Sequence, residues 1–255
     1  MALPVWRELG RAEDLDLDFE HTSRAVTVSR LLAQCRPETL PGAAAGDAWA
    51  WQLTLGYRIG AVAAIVAATL DRAELDVTLH CLAESCQQPF EVSLPLATLR
   101  ELGEAAQQQA TLELTFKQRS PLRVRRPTGE DVRRWQAHRY TSVQSAEAVV
   151  LESLVETAGP ALQAAEVAAI GSALEEADPL PTFAVSCCCP ACGVAASYDL
   201  DLEAVLCARL AQWQRELIAE VHGLAACYGW TEHDVLRLPR WRRQAYLEQI
   251  TARRA

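Results

Sequence analysis

Lysine is almost absent from this chain. Of 24 basic residues only Lys117 is a lysine, and the other 23 are arginines. Arginine's planar fork suits fixed, bidentate pairing with carboxylates better than loose attraction to phosphates. Aromatic residues make up 6% and the net charge is −9, so the basic stretches lack interleaved stacking rings and the chain as a whole is acidic. Both features argue against nucleic acid as a partner. The longest uncharged apolar stretch, Ile59 to Leu70, covers 12 residues and is too short to cross a bilayer, so no membrane partner is expected. Residues Met1 to Glu8 have neither a basic n-region nor an apolar h-region, which sets the expectation of a cytoplasmic protein with reduced thiols. Glycine-rich phosphate loops, a nucleophile elbow and a His-Glu-x-x-His helix are missing as well. The five histidines are scattered, and His222 sits beside Val221 where a packing role fits. The expected protein is not an enzyme.

Cysteine, by contrast, is patterned. Among nine cysteines, Cys81 and Cys86 form one spaced pair and Cys189 and Cys192 another, with Gly193 directly after the second. Cys-x2-Cys-Gly is a strong turn signal for zinc, and Cys-x4-Cys is a looser one within the permitted ligand spacing. The residues downstream of each pair repeat: Phe90-Glu91-Val92-Ser93-Leu94 after the first, Tyr198-Asp199-Leu200-Asp201-Leu202 after the second. Each run reads aromatic, acidic, aliphatic, polar, leucine, and each leads into a helical pattern. Two degenerate units of knuckle, strand and helix, giving two thiolates each, complete the tetrahedral shell that structural zinc prefers. Cys187 and Cys188 point to opposite faces of a strand, so at most one could join. His80, next to Cys81, is the one residue that could open the shell for catalysis.

Hydrophobic periodicity fills in the rest. The expected fold class is α+β, mainly helical, with a zinc-ribbon-like four-cysteine site shared by the two halves. Short helix Arg24 to Cys35, loop Pro37 to Asp47, buried helix Leu53 to Leu70 and strand Leu75 to Leu79 precede the first cysteines. Strands Thr111 to Phe116 and Leu122 to Val124 pair around a turn near Ser120-Pro121. Thr128 with Asp131 reads as a capping box, and helices Glu147 to Ala158 and Ala164 to Ala177 come next. From Asp201 one amphipathic face runs to Gly229, a helix of about 43 Å. A short helix after Thr231 and a last helix with Trp241, Tyr246, Leu247 and Ile250 inward close the chain. The expected organisation is an N-terminal segment (1–52), a first half (53–140), a helical connector (141–180) and a second half with the long helix and helical hairpin (181–255). Charge is uneven: Lys117 to Tyr140 carries eight basic against two acidic residues, and Thr231 to Ala255 six against three. Solvated surface and internal ion pairs account for both, with docking to an acidic partner as the alternative.

The segment Val221 to Pro239, continuing through Arg242-Arg243 to Tyr246-Leu247 and Ile250, resembles the C-terminal pattern of the baseplate hub assembly chaperone family of contractile phage tails of the T-even type and of contractile injection systems. The Cys-Pro-Ala-Cys-Gly stretch, the long helix after it and Arg126-Pro127-Thr128 leading to Asp131 fit the same family, and the similarity extends in order from about Leu53 to Ile250. The first half departs from the family's usual second Cys-x2-Cys. The resemblance implies a non-enzymatic structural or assembly factor that binds baseplate, hub or tube-initiator proteins and is incorporated into, or helps build, a tail-like particle, with zinc as a structural element held by Cys81, Cys86, Cys189 and Cys192. Trp230, Trp241, Arg242, Arg243 and Tyr246 are the candidate partner anchors, because interface hot spots favour Trp, Tyr and Arg; packing of the terminal hairpin is the competing role for Trp230 and Tyr246. The alternatives are a zinc-ribbon nucleic-acid-binding regulator acting through Arg119 to Arg139 and a zinc hydrolase using His80.

Overall fold

The computed structural model describes residues 4–37, 46–116, 119–157 and 159–252. The fold is α+β and mainly helical: three two-stranded antiparallel hairpins and ten α-helices among the described residues, after a short 3-10 turn at Ala12–Asp16. Helix α1 (Arg24–Gln34), α2 (Ala48–Trp51) and α3 (Leu55–Leu70) lead into hairpin β1 (Glu74–His80) and β2 (Pro89–Pro95), then α4 (Leu96–Gln108). A second hairpin, β3 (Thr111–Phe116) and β4 (Arg119–Arg125), is followed by α5 (Gly129–Ala137), α6 (Val143–Glu152) and α7 (Ala164–Ala177). The third hairpin, β5 (Ala184–Cys188) and β6 (Ala195–Asp199), feeds α8 (Leu202–Tyr228), α9 (Glu232–Leu236) and α10 (Arg240–Ala252). Most of the expected loop Pro37 to Asp47 lies outside the described residues.

Helix α3 is the centre of the main core, buried on nearly every side because it is alanine- and valine-rich all round. Its contact with α4 is unusually close, and glycine makes it so. A Cβ on Gly103 would stand 2.5 Å from the Gly56 carbonyl oxygen, and one on Gly60 would stand 3.0 Å from the Leu99 carbonyl oxygen. Helix α3 therefore meets α4 through bare backbone. Thr54 caps α3, accepting the Tyr57 N–H at 3.4 Å, and Asp178 accepts the Gly56 N–H at 3.1 Å from far along the chain.

One residue in α3 breaks the apolar reading. Arg58 is 1% exposed. Its guanidinium donates to the Ala50 and Ala25 carbonyls and to Ser29 Oγ, at 2.7, 3.0 and 3.0 Å, and lies over the Trp51 ring. It thus fastens α1 and α2 to α3, satisfying an orphan carbonyl at the end of α2 and sharing the Ala25 carbonyl at the start of α1, and burial pulls its pKa down. Gln214 does the same for the N-terminal segment: its buried Nε2 donates to the Asp14, Leu15 and Leu17 carbonyls, the shortest at 2.9 Å, tying that segment to α8.

A second, smaller core gathers Leu122, Val124, Leu151, Leu154 and Ile170. It packs α6 and α7 onto the β3–β4 hairpin. Two expected boundaries and one helix face differ. Ser120 and Pro121, expected in the turn, lie within β4. Helix α6 stops at Glu152 because Val155 leaves the helix to bridge Val124. The α10 face turns as well: Trp241 is 69% exposed, while Arg243, Tyr246, Leu247 and Ile250 face inward at i, i+3, i+4 and i+7.

Candidate metal centre

Hairpins β1–β2 and β5–β6 each end in a cysteine-bearing loop, and the two loops meet. In the second, the Cys189 N–H donates to the Val194 carbonyl at 2.9 Å and the Gly193 N–H to the Cys189 carbonyl at 2.8 Å. Gly193 has φ +74°, the left-handed backbone this tight turn requires. In the first, the Cys81 N–H donates to the Gln88 carbonyl at 3.0 Å, closing a loop two residues longer. The extra residues are taken up in a turn in which the Cys86 and Gln87 N–H groups both reach the Ala83 carbonyl. Gln87, directly after Cys86 as Gly193 is after Cys192, also adopts the left-handed conformation, with φ +50°. The longer spacing is therefore absorbed by backbone, and the sulfurs still converge.

They converge closely enough to share one ion. The four Sγ atoms of Cys81, Cys86, Cys189 and Cys192 all lie within 4.8 Å of one another. Cys81 faces Cys192 at 3.5 Å and Cys86 faces Cys189 at 3.9 Å, each first cysteine beside the second cysteine of the other loop. A tetrahedral ion with sulfur at about 2.3 Å demands an S···S edge of about 3.8 Å. Disulfide sulfurs would stand at about 2.05 Å, and all four thiols are free. The donor set fits a metal ion, and it is all thiolate, the choice of soft or borderline cations such as zinc.

Electrostatics point the same way. Burial works against the Cys189 thiolate, but the Cys192 and Ala191 amides aimed at its sulfur outweigh it and bring the thiol down to about 7. The Ala83 amide favours a Cys81 thiolate, yet burial and the three neighbouring sulfurs push that thiol up to about 12. Cys189 ionises readily while Cys81 and Cys86 resist, because like charges crowd one small volume. A cation at the centre removes that conflict.

Residues around the sulfurs repeat as the sequence pattern implied. Phe90 and Tyr198 meet edge to face at 5.9 Å, and Leu94 and Leu202 are both buried. Cys187 is half-buried, Cys188 exposed, and His80 exposed at the end of β1; none belongs to the four-sulfur set.

No protein-family model, curated protein or solved structure matches this chain.

The five aromatic and arginine residues of the C-terminus divide by environment. Trp230 stacks on Tyr228 with centroids 4.8 Å apart, and Tyr246 meets both rings edge-on at 5.1 and 5.7 Å. Arg242 donates to the Tyr246 hydroxyl at 3.1 Å. Arg243 donates to the Glu220 carboxylate at 3.0 Å and to the Leu238 carbonyl at 2.8 Å, holding α10 on α8. Trp230, Tyr246 and Arg243 thus assemble the hairpin, and Trp241 stands clear in solvent. Most of the arginine-rich stretch is likewise occupied within the chain. Arg119 pairs with Glu166 at 2.8 Å and Arg133 with Glu130 at 2.7 Å. Arg125 and Arg134 converge on buried Asp131.

Sequence reasoning missed Arg58 and the left-handed Gln87. A buried arginine leaves no mark in a helix pattern that simply reads apolar. Gln87 could have been found by laying Cys86-Gln87 over Cys192-Gly193.

Proposed function

We propose that this chain is a non-enzymatic structural or assembly factor, a scaffold stapled by one structural zinc ion in a zinc-ribbon-like site. The observation that carries the reading is the closed four-sulfur set: four thiolates fill a tetrahedral shell and leave no position for water or substrate. Catalytic zinc keeps such a position open, so the geometry favours holding the fold over running a reaction. The ion would fix the start of α8, whose far end carries the Tyr228–Trp230–Tyr246 cluster, while α10 packs along α8 with Trp241 exposed. That α8–α10 surface is the proposed contact with other proteins. The context, the baseplate or hub of a contractile tail or contractile injection system, comes from the resemblance of the Val221 to Ile250 segment.

The test is co-expression with the hub and tube-initiator proteins of a contractile tail, then co-purification and metal analysis. The expected result is a complex carrying one zinc per copy of this chain, weakened by Trp241→Ala or Arg242→Glu in proteins with unchanged thermal midpoints. Arg243 is unsuitable for this purpose, since its loss opens the α8–α10 contact. Failure of any tail component to co-purify would overturn the context. Hydrolytic activity abolished by chelation would overturn the scaffold role. The nucleic-acid alternative would require salt-sensitive binding through Arg119 to Arg139, where several arginines are already paired with carboxylates.

A further inference from the structure

Helices α6 and α7 face each other across a cavity of about 270 Å³. Glu147, Leu151 and Leu154 line it from the α6 side, and Gly171, Leu174 and Asp178 from the α7 side, both at helical spacing. It lies where the smaller core meets the segment leading to β5, the kind of seam between packed units where ligand sites concentrate. Its walls are mainly apolar, completed by the Trp135 ring, which is fixed by an Nε1–H bond to Ser153 Oγ at 3.1 Å.

Two observations set it apart from a packing gap. The first is Gly171, in the middle of an alanine-rich helix where glycine is costly relative to alanine. Gly56, Gly60 and Gly103 are required by close contact, but a Cβ on Gly171 would find its nearest neighbour, Leu151 Cδ1, only at 4.0 Å. Its missing side chain leaves cavity. The second is Asp178, 4% exposed, whose Oδ2 takes the Gly56 N–H while Oδ1 has no partner. A buried carboxylate oxygen without a donor is an unmet demand for one. The Arg126 guanidinium, buried too and with its own Nε and Nη1 unpartnered, and the Leu180 amide are both felt by Asp178, but neither makes a hydrogen bond to Oδ1. At the solvent side the cavity carries two more carboxylates, exposed Glu147 and Glu175, and no basic residue lines it.

We propose that this cavity binds an organic cation with a short apolar chain, an alkylammonium group. Asp178 Oδ1 accepts from the ammonium, the leucines and Trp135 cover the chain, and the two glutamates at the rim draw the charge in. The same chemistry is offered by a free aliphatic amine or by a lysine side chain of a bound protein.

Calorimetric titration of the full chain with n-hexylammonium, n-hexanol and Nα-acetyl-lysine methylamide tests this. The expected result is saturable hexylammonium binding, about ten- to a hundredfold tighter than hexanol, since a charged hydrogen bond separates the two. In Asp178→Asn the amide oxygen can still accept the Gly56 N–H while the charge is gone, so that preference should vanish. Gly171→Leu should fill the cavity and abolish binding without lowering the thermal midpoint. Lysine amide binding as tightly as hexylammonium assigns the cation to a protein partner, and a clear preference for hexylammonium assigns it to a free amine. Absence of saturable binding by either cation, an undiminished preference in Asp178→Asn, or unchanged binding in Gly171→Leu would each overturn the proposal.

Discussion

Removing the staple should loosen this protein by at least the amount that chain length sets. Cys86 and Cys189 are 103 residues apart, and their sulfurs stand 3.9 Å from each other. An ion shared by the two loops closes a loop of that length in the unfolded chain as well. By the loop-closure relation for a cross-link, a loop of roughly 100 residues contributes about 4.7 kcal/mol at 25 °C. That figure is the chain-entropy part alone, and an ion released from the unfolded chain adds its binding free energy to the native state, so the fall it sets is a lower bound. In a chain of 255 residues each 1 kcal/mol moves the thermal midpoint by about 2–4 °C, so full loss of metal should lower it by roughly 10–20 °C or more. The perturbation is Cys192→Ser, with Cys81→Ser as the reciprocal variant in the other loop and Cys188→Ser as the control outside the cluster. The assays are metal content by mass spectrometry and the midpoint by scanning calorimetry, with and without a chelator. The shared-site reasoning requires one zinc per chain in the parent and in Cys188→Ser, lost from both other variants with a matching fall in midpoint. Zinc retained at full occupancy in either Cys81→Ser or Cys192→Ser would refute it, as would a parent whose midpoint is unmoved when the metal is stripped.

Asp131 is fully buried, and the Arg125 guanidinium with the Thr128 N–H and hydroxyl overcome its burial to hold its carboxyl at about 2, below the ordinary 3.8. A depressed native pKa adds stability above the unfolded value that is lost as pH falls through about 2. The contribution is about 2 kcal/mol, and urea titrations of Asp131→Asn against the parent should show the gap at pH 7 closing toward pH 2. A gap that does not change with pH would refute this. Gly103→Ala should cost about 1–3 kcal/mol, because its Cβ meets the Gly56 backbone oxygen at 2.5 Å; Gly171→Ala should instead gain up to about 1 kcal/mol, and denaturation midpoints compare the two. In the cysteine loops the left-handed positions should respond oppositely: Gly193→Ala loses about 1 kcal/mol and Gln87→Gly is neutral or stabilising, read from the same midpoints with zinc bound.

Where a pattern is local, the sequence was enough. Helix α8 begins after Asp201 and ends at Gly229 with φ +68° because its caps and its apolar face are contiguous along the chain. The Thr128–Asp131 and Thr231–Asp234 capping boxes form for the same reason. The α10 face was harder to place, since both Trp241 and Arg243 could be assigned inward, and only the carboxylate of Glu220 on α8 decides for the arginine. The α6 boundary was illegible because what ends that helix is the pairing of Val155 with Val124 on a strand well upstream.

The four cysteines mark the limit of each kind of information. Their spacing, the repeated aromatic and leucine after each pair, and the glycine after Cys192 were determined by sequence alone, since turn geometry and strand alternation act over a few residues. That Cys81 meets Cys192 and Cys86 meets Cys189, at distances that fit one ion, was decided by tertiary structure. Two hairpins separated by an entire second core have to be carried to the same place, and no local rule fixes that. The same holds for Arg58, whose charge is tolerated in the core only because α1 and α2 bring two carbonyls and a hydroxyl to it.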